Sequence, residues 1–231
     1  MNTKLMSAMI IGGIAFFAVT LGLATVSHAE SVTVIGNFED SNDGWIVHSE
    51  APEGTTAARV KENATLGQYS LKLTIPSGWQ KAITCDLSDN SKQLAALGKA
   101  KQLKIDVTLK AKEWDLATGW IKPVECIVIQ DNMGDWQQID PTADSDNTWN
   151  GQEDKTTTVT FDIPPQTPPD LTRGDIIIVT QYADVNKPGS FYYDNVRLVV
   201  PDEMKKAAEP NQPKESKPKE AAKPAEPNNP K

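Results

Sequence analysis

Histidine and cysteine are scarce in this chain, with two of each among 231 residues. His28 lies in the N-terminal apolar stretch, so His48 stands alone in the rest. One imidazole supplies neither a zinc cluster nor an ordinary Ser-His-Asp triad, which sets aside both routes to hydrolysis. No glycine-rich phosphate loop is present. Basic charge is also short: the formal net charge is −8, and nucleic-acid binding demands a basic face. Carboxylates are plentiful, but no tight strand cluster of the Glu-x-Asp-x-x-Glu kind occurs. A glycoside hydrolase or lyase is therefore the least favoured reading. Helical periodicity is confined to Lys92–Lys101, around Leu94 and Leu97, and Gly98 is expected to stop it.

Long apolar runs are missing after residue 26. Before that, Lys4 precedes an apolar stretch from Met6 to Val26, and Ser27-His28-Ala29 offers small residues for cleavage. Residues 1–29 read as an export signal, with a retained anchor as the alternative. The mature chain then starts near Glu30, has no membrane span, and is secreted, periplasmic or held in the cell envelope. Residues 202–231 combine six prolines with Lys, Glu and Ala and contain no aromatic residue. Such a segment cannot bury enough apolar surface to order itself, so it is expected to be disordered. It serves either as a solvated spacer or as a tether to an envelope partner.

Residues 30–201 are left as one domain, and strand patterns fill it. Tyr69–Ile75, Leu103–Leu109 and Thr157–Ile163 alternate cleanly, as half-buried strands do. Ile176–Val179 and Val124–Gln130 are apolar on both faces, as central strands are. Val32–Phe38, Trp45–His48, Gln80–Leu87 and Phe191–Val200 complete the set. About nine to ten strands without a long helix predict an all-β, two-sheet sandwich. The loops 110–123 and 139–155 are where recognition residues are expected.

One strand carries a carboxylate in an unexpected place. Period-two alternation puts Tyr192, Asp194, Val196, Leu198 and Val200 on one face, apolar apart from Asp194. A carboxylate aimed with core residues needs a cation or several donors. Glu39 is the natural second carboxylate for such a cation. Capping a turn, or pairing with Arg59 or Arg197, are the alternatives for Asp194.

The two cysteines, Cys85 and Cys126, suit a disulfide in an exported chain. Alternation opposes it: Cys85 runs with Ile83 and Leu87 toward the core, and Cys126 shares a face with Gln130. Six tryptophans stand beside only four tyrosines and five phenylalanines. Trp79, Trp114, Trp120, Trp136 and Trp149 lie in or next to polar or turn segments. Trp136 follows the Asn132–Gly134 turn and is followed by Gln137 and Gln138.

Several of these segments resemble jelly-roll carbohydrate-binding modules of the galactose-binding-like superfamily. The resemblance rests on Gly36-Asn37-Phe38-Glu39 with Gly44-Trp45, and on the closing Tyr192-Tyr193-Asp194-Asn195-Val196-Arg197-Leu198. Leu66–Leu73, and Asp86-Leu87-Ser88 followed by Leu103–Val107, match in the same order. It covers Val34 to Val200 and implies a jelly-roll β-sandwich with Trp45 in its core. It also implies a structural Ca2+ ion joining first strand to last. Glu39 and Asp194 would give carboxylates to that ion, and the Gln68 region a backbone carbonyl. The implied ligand is a polysaccharide or other glycan, held on a concave outer face or at loop tips. Trp79, Gln130, Trp136, Gln138 and Tyr182 form the expected platform, aromatic faces stacking on sugar rings and amides bonding hydroxyls. If Ile177 and Val179 face the core, Tyr182 lies on that outer face. The expected role is non-catalytic binding; the rival is a structural envelope component without a sugar site.

Overall fold

The computed structural model describes residues 30–76, 80–115, 120–130, 136–165, 171–182 and 188–201, apart from the side chains of Gln80 and Tyr182. The segments read as signal and tail, and Trp79, lie outside these residues.

Eleven strands and one α-helix follow in order: β1 (Glu30–Gly36), β2 (Trp45–Val47), β3 (Thr56–Val60), β4 (Ser70–Ile75), β5 (Gln80–Asp86), α1 (Ser91–Lys99), β6 (Gln102–Leu109), β7 (Ile121–Gln130), β8 (Trp136–Ile139), β9 (Lys155–Asp162), β10 (Asp175–Tyr182) and β11 (Gly189–Pro201). A 3-10 turn occupies Ala111–Glu113. All strand pairs are antiparallel and form two sheets, a two-sheet sandwich as the sequence predicts. The larger sheet runs β3-β4-β11-β6-β9, with β1 also on β11; the smaller runs β2-β5-β10-β7-β8. Sequence reading missed two strands, β3 and β8. Both are short and sit at sheet edges, and neither has an apolar run to mark it.

Alternation sets the core. Leu71 and Leu73 of β4, Leu103, Ile105 and Val107 of β6, and Val159 and Phe161 of β9 line the inner face of the larger sheet. Trp45, Ile83, Cys85, Ile127, Ile129, Ile176 and Ile178 line the inner face of the smaller one. Asn90 caps α1 by accepting from the Gln93 amide, and α1 packs beside β1 and β11 with Leu94 and Leu97 buried. Gly98 lies inside α1 and is buried, so the helix ends one residue later than expected.

The single-face reading of β11 fails at a bulge. Phe191 and Tyr193 join the core ahead of it, Val196 and Leu198 after it. Between them Asn195 adopts φ 46°, and the register on β6 shifts between Asp194 and Arg197. The inserted residue switches which parity faces inward. Tyr192 and Asp194 therefore point away from the inter-sheet core, and loop 61–69 and the 3-10 turn lie over them. The Tyr192 hydroxyl bonds Glu113 at 2.7 Å and lies 3.2 Å from Glu62, which leaves Tyr192 fully buried.

Candidate functional site

The two end motifs meet at loop 61–69, which joins β3 to β4. Asp194 Oδ2 accepts the amides of Thr65 at 2.6 Å and Leu66 at 2.7 Å, and the Thr65 hydroxyl at 3.1 Å. Its Oδ1 accepts the Asn195 amide at 2.7 Å. Two residues on, Glu39 Oε1 accepts the amides of Gln68 at 2.8 Å and Tyr69 at 2.9 Å. Gly67 between them has φ 77°, and a Cβ there would meet Glu39 Oε1 at 2.4 Å, so a side chain would strain the backbone and push the Glu39 carboxylate off these amides. Asp43 repeats the device, its Oδ2 taking the amides of Asn37 and Phe38 at 2.8 and 2.7 Å. Consecutive N–H groups converging on one carboxylate make a small anion nest.

These bonds set the protonation behaviour. The Gln68 and Tyr69 amides, with the Arg59 charge nearby, hold the Glu39 carboxyl below its ordinary value. Burial pushes Asp194 up despite its amide donors. For Asp106, beside Asp194 on β6, burial opposes ionisation, but bonds from Thr158, Asn195 and Arg197 hold the carboxyl low. Arg197 thus pairs with Asp106 at 3.0 Å rather than with Asp194.

Calcium takes six to eight oxygen ligands. Asp194 Oδ2 already accepts three donors, and Gln68 presents its N–H to Glu39. Nearby carbonyls are engaged as well: Arg59 Nε donates to Phe38 O at 2.5 Å and its Nη2 to Glu39 O. No group of three or more His, Cys, Asp or Glu side chains among the described residues is arranged to hold a metal. Glu39 and Asp194 both accept amides of the loop that contains Gln68. Their donor set does not fit the ion that the resemblance implies.

A different surface carries the aromatic residue. Residues directly opposite in an antiparallel ladder point the same way. Ile177 of β10 faces Thr84 of β5 and Val128 of β7; Thr84 in turn faces Ile46 of β2, and Val128 faces Gln138 of β8. This row crosses all five strands of the smaller sheet on its outer face. A parallel row runs Asp86, Asp175, Gln130, Trp136. Gln130, Trp136 and Gln138 therefore share one face. Trp136 is 46% exposed and Gln138 is exposed, while Gln130 is half-buried.

The floor of that face is apolar. Cys126, Val128, Ile177 and Val179 form a buried cluster separate from the main core. Lys81 of β5 places its ammonium 4.3 Å from the centroid of the Trp136 ring. Three strand spacings, about 14 Å, separate β5 from β8. The two side chains thus reach toward each other across β10 and β7, above the cluster. Glu50 holds Lys81 at 2.6 Å. Around this floor stand Asp175, paired with Arg173 at 2.6 Å, and the exposed Ile46.

The outer position of Ile177 and Val179 reverses the premise that placed Tyr182 on this face, because Ile176 and Ile178 fill the core instead. A register irregularity between Val179 and Gln181 breaks the count again, and β10 pairs Tyr182 with Ile121. The Tyr182 side chain and Trp79 lie outside the described set. Trp114 and Trp149, in the loops expected to carry recognition, are buried at 6% and 4% exposure. Their rings pack edge to face, and Trp114 Nε1 donates to Ser190 O at 3.0 Å. Lys81 and the 42%-exposed Trp120 escaped the predicted platform. The clue for Trp120 is its alternation with Ile121, a core residue. Cys85 and Cys126 are free and lie on opposite faces of the smaller sheet.

No family model matches the chain, and no curated protein matches it in sequence. Solved structures do match in shape. The module CBM27-1 of Caldicellulosiruptor saccharolyticus, solved with mannohexaose, is 16% identical with a TM-score of 0.50, over 73% of this chain and 96% of that one. CBM28, a carbohydrate-binding module specific for non-crystalline cellulose, is 18% identical with a TM-score of 0.49, over 72% and 94%. The CBM22-1 xylan-binding domain from Paenibacillus barcinonensis is 13% identical with a TM-score of 0.45, over 75% and 96%. At 16% identity the likeness to CBM27-1 is one of fold, and it extends over 96% of that module. The chain has the jelly-roll β-sandwich architecture found in carbohydrate-binding modules.

Proposed function

We propose that this protein binds a polysaccharide or other glycan without acting on it chemically, on the outer face of its five-stranded sheet. The observation that carries the reading is Trp136, an indole 46% exposed on that face with Gln130 and Gln138 beside it and an apolar floor below. A flat ring accepts the C–H face of a sugar, and the two amides bond its hydroxyls. An open sheet surface offers a sugar ring few contacts, so a single site is weak and gains from several copies acting together. The N-terminal signal would place the protein outside the cytoplasm, where such polymers lie. The proline-rich tail would give it reach toward an envelope partner.

Affinity electrophoresis through gels containing soluble mannan, xylan or amorphous cellulose tests this. The wild-type chain is expected to be retarded by at least one polymer and the Trp136→Ala variant by none. Passage of the wild-type chain unretarded through every gel would favour a structural envelope role instead.

A further inference from the structure

We propose that the guanidinium of Arg59 takes the place of a divalent cation where the chain's two ends meet, so that the fold holds without calcium. Arg59 lies on the edge strand β3 and reaches the turn after β1, donating to the carbonyls of both Phe38 and Glu39. Its guanidinium carbon sits 3.3 Å from the centroid of the Tyr69 ring, at the end of the loop whose amides Glu39 grips. One planar cation thus contacts the N-terminal motif through two carbonyls, the Glu39 carboxylate through its charge, and loop 61–69 through a ring face.

A metal ion at such a junction would gather carbonyl and carboxylate oxygens around a point charge. Here the guanidinium gathers the carbonyls, and two backbone N–H groups with the Thr65 hydroxyl occupy the Asp194 oxygen that faces the loop. The Phe38 backbone at φ 56° turns the chain at this point. Asp43 holds its amide while Arg59 holds its carbonyl, so both polar ends of that strained residue are occupied. A guanidinium is permanently charged and covalently tethered, so no chelator removes it.

The test uses the full mature chain and no sugar, so it stands or falls apart from the glycan reading. Thermal melts are run in excess EGTA and in millimolar CaCl2, with calorimetric calcium titration of the EGTA-treated, desalted protein. The expected result is a melting temperature unchanged within about 1 °C and no stoichiometric binding heat. Arg59→Met, which keeps the stem and removes the fork, is expected to melt about 4–8 °C lower. Arg59→Lys keeps the charge without the fork and should fall between the two. A melting temperature that drops on chelation, or a stoichiometric calcium heat, overturns the proposal. So does an Arg59→Met protein as stable as wild type. If Arg59→Met does not fold, the wild-type chelation melts and Arg59→Lys decide.

Discussion

Replacing Asp194 with alanine removes the acceptor of four hydrogen bonds at once: the amides of Thr65, Leu66 and Asn195 and the Thr65 hydroxyl. The hydroxyl has a second acceptor in Asp106 Oδ2 at 3.0 Å, so the loss falls on the three amides. Each of these part-buried amides left without a partner costs about 1–2 kcal/mol. Removal of a carboxylate that burial already disfavours returns part of that sum. The net destabilisation is about 3–5 kcal/mol, a large share of the ~5–15 kcal/mol that holds a domain together. For a domain of this size that is a fall in melting temperature of about 8–15 °C. Urea unfolding followed by tryptophan fluorescence should show the midpoint falling with little change in slope. A variant within about 1 kcal/mol of wild type would refute the claim that Asp194 anchors loop 61–69.

Three further outcomes follow from the same geometry. Burial pushes the Cys85 thiol up to about 12 and the Cys126 thiol up to about 11, so neither should react with Ellman's reagent in the native protein at pH 8. Both should titrate after denaturation, and a native thiol that reacts within minutes would contradict the buried, unpaired assignment. Glu39 is held below its unfolded value of 4.5, so its contribution is full above that pH and drains as pH falls through the lower folded value. The stability gap between wild type and Glu39→Gln should accordingly be widest near pH 7 and close below pH 4.5; a gap independent of pH would sink the ionic role. Trp114→Phe should destabilise the fold without touching glycan binding, because its ring packs on Phe191 at 4.8 Å and bonds Ser190. A selective loss of binding with unchanged stability would return Trp114 to the platform.

Much of the architecture was legible because alternation is a local signal. β4, β6 and β9 each carry one, and their inward residues are those the period names. The bulge in β11 was not legible by period, since one left-handed residue inverts parity without changing composition. Its trace is the Asp194-Asn195 pair, asparagine being among the few side chains that accept such a backbone. The condition that Ile177 and Val179 face the core is not met, for a related reason. A strand apolar on both faces carries no mark of which face is inner. The common face of Gln130, Trp136 and Gln138 follows from the β7–β8 register. Lys81 was missed because its contact with Trp136 spans strands far apart in sequence. The carboxylates Glu39 and Asp194 both bond to loop 61–69. What meets them there is backbone N–H, which every residue but proline carries and no motif displays.

The most direct measurement of the glycan reading is a fluorescence titration of the mature chain with mannohexaose, xylohexaose and cellohexaose, wild type against Trp136→Ala. The account predicts a saturable change in wild-type emission for at least one of these sugars. It also predicts an affinity at least ~10-fold weaker in the variant, the ~1.4 kcal/mol expected for one lost stacking contact. Equal affinity in the two proteins, with Trp136→Ala fully folded, would contradict it.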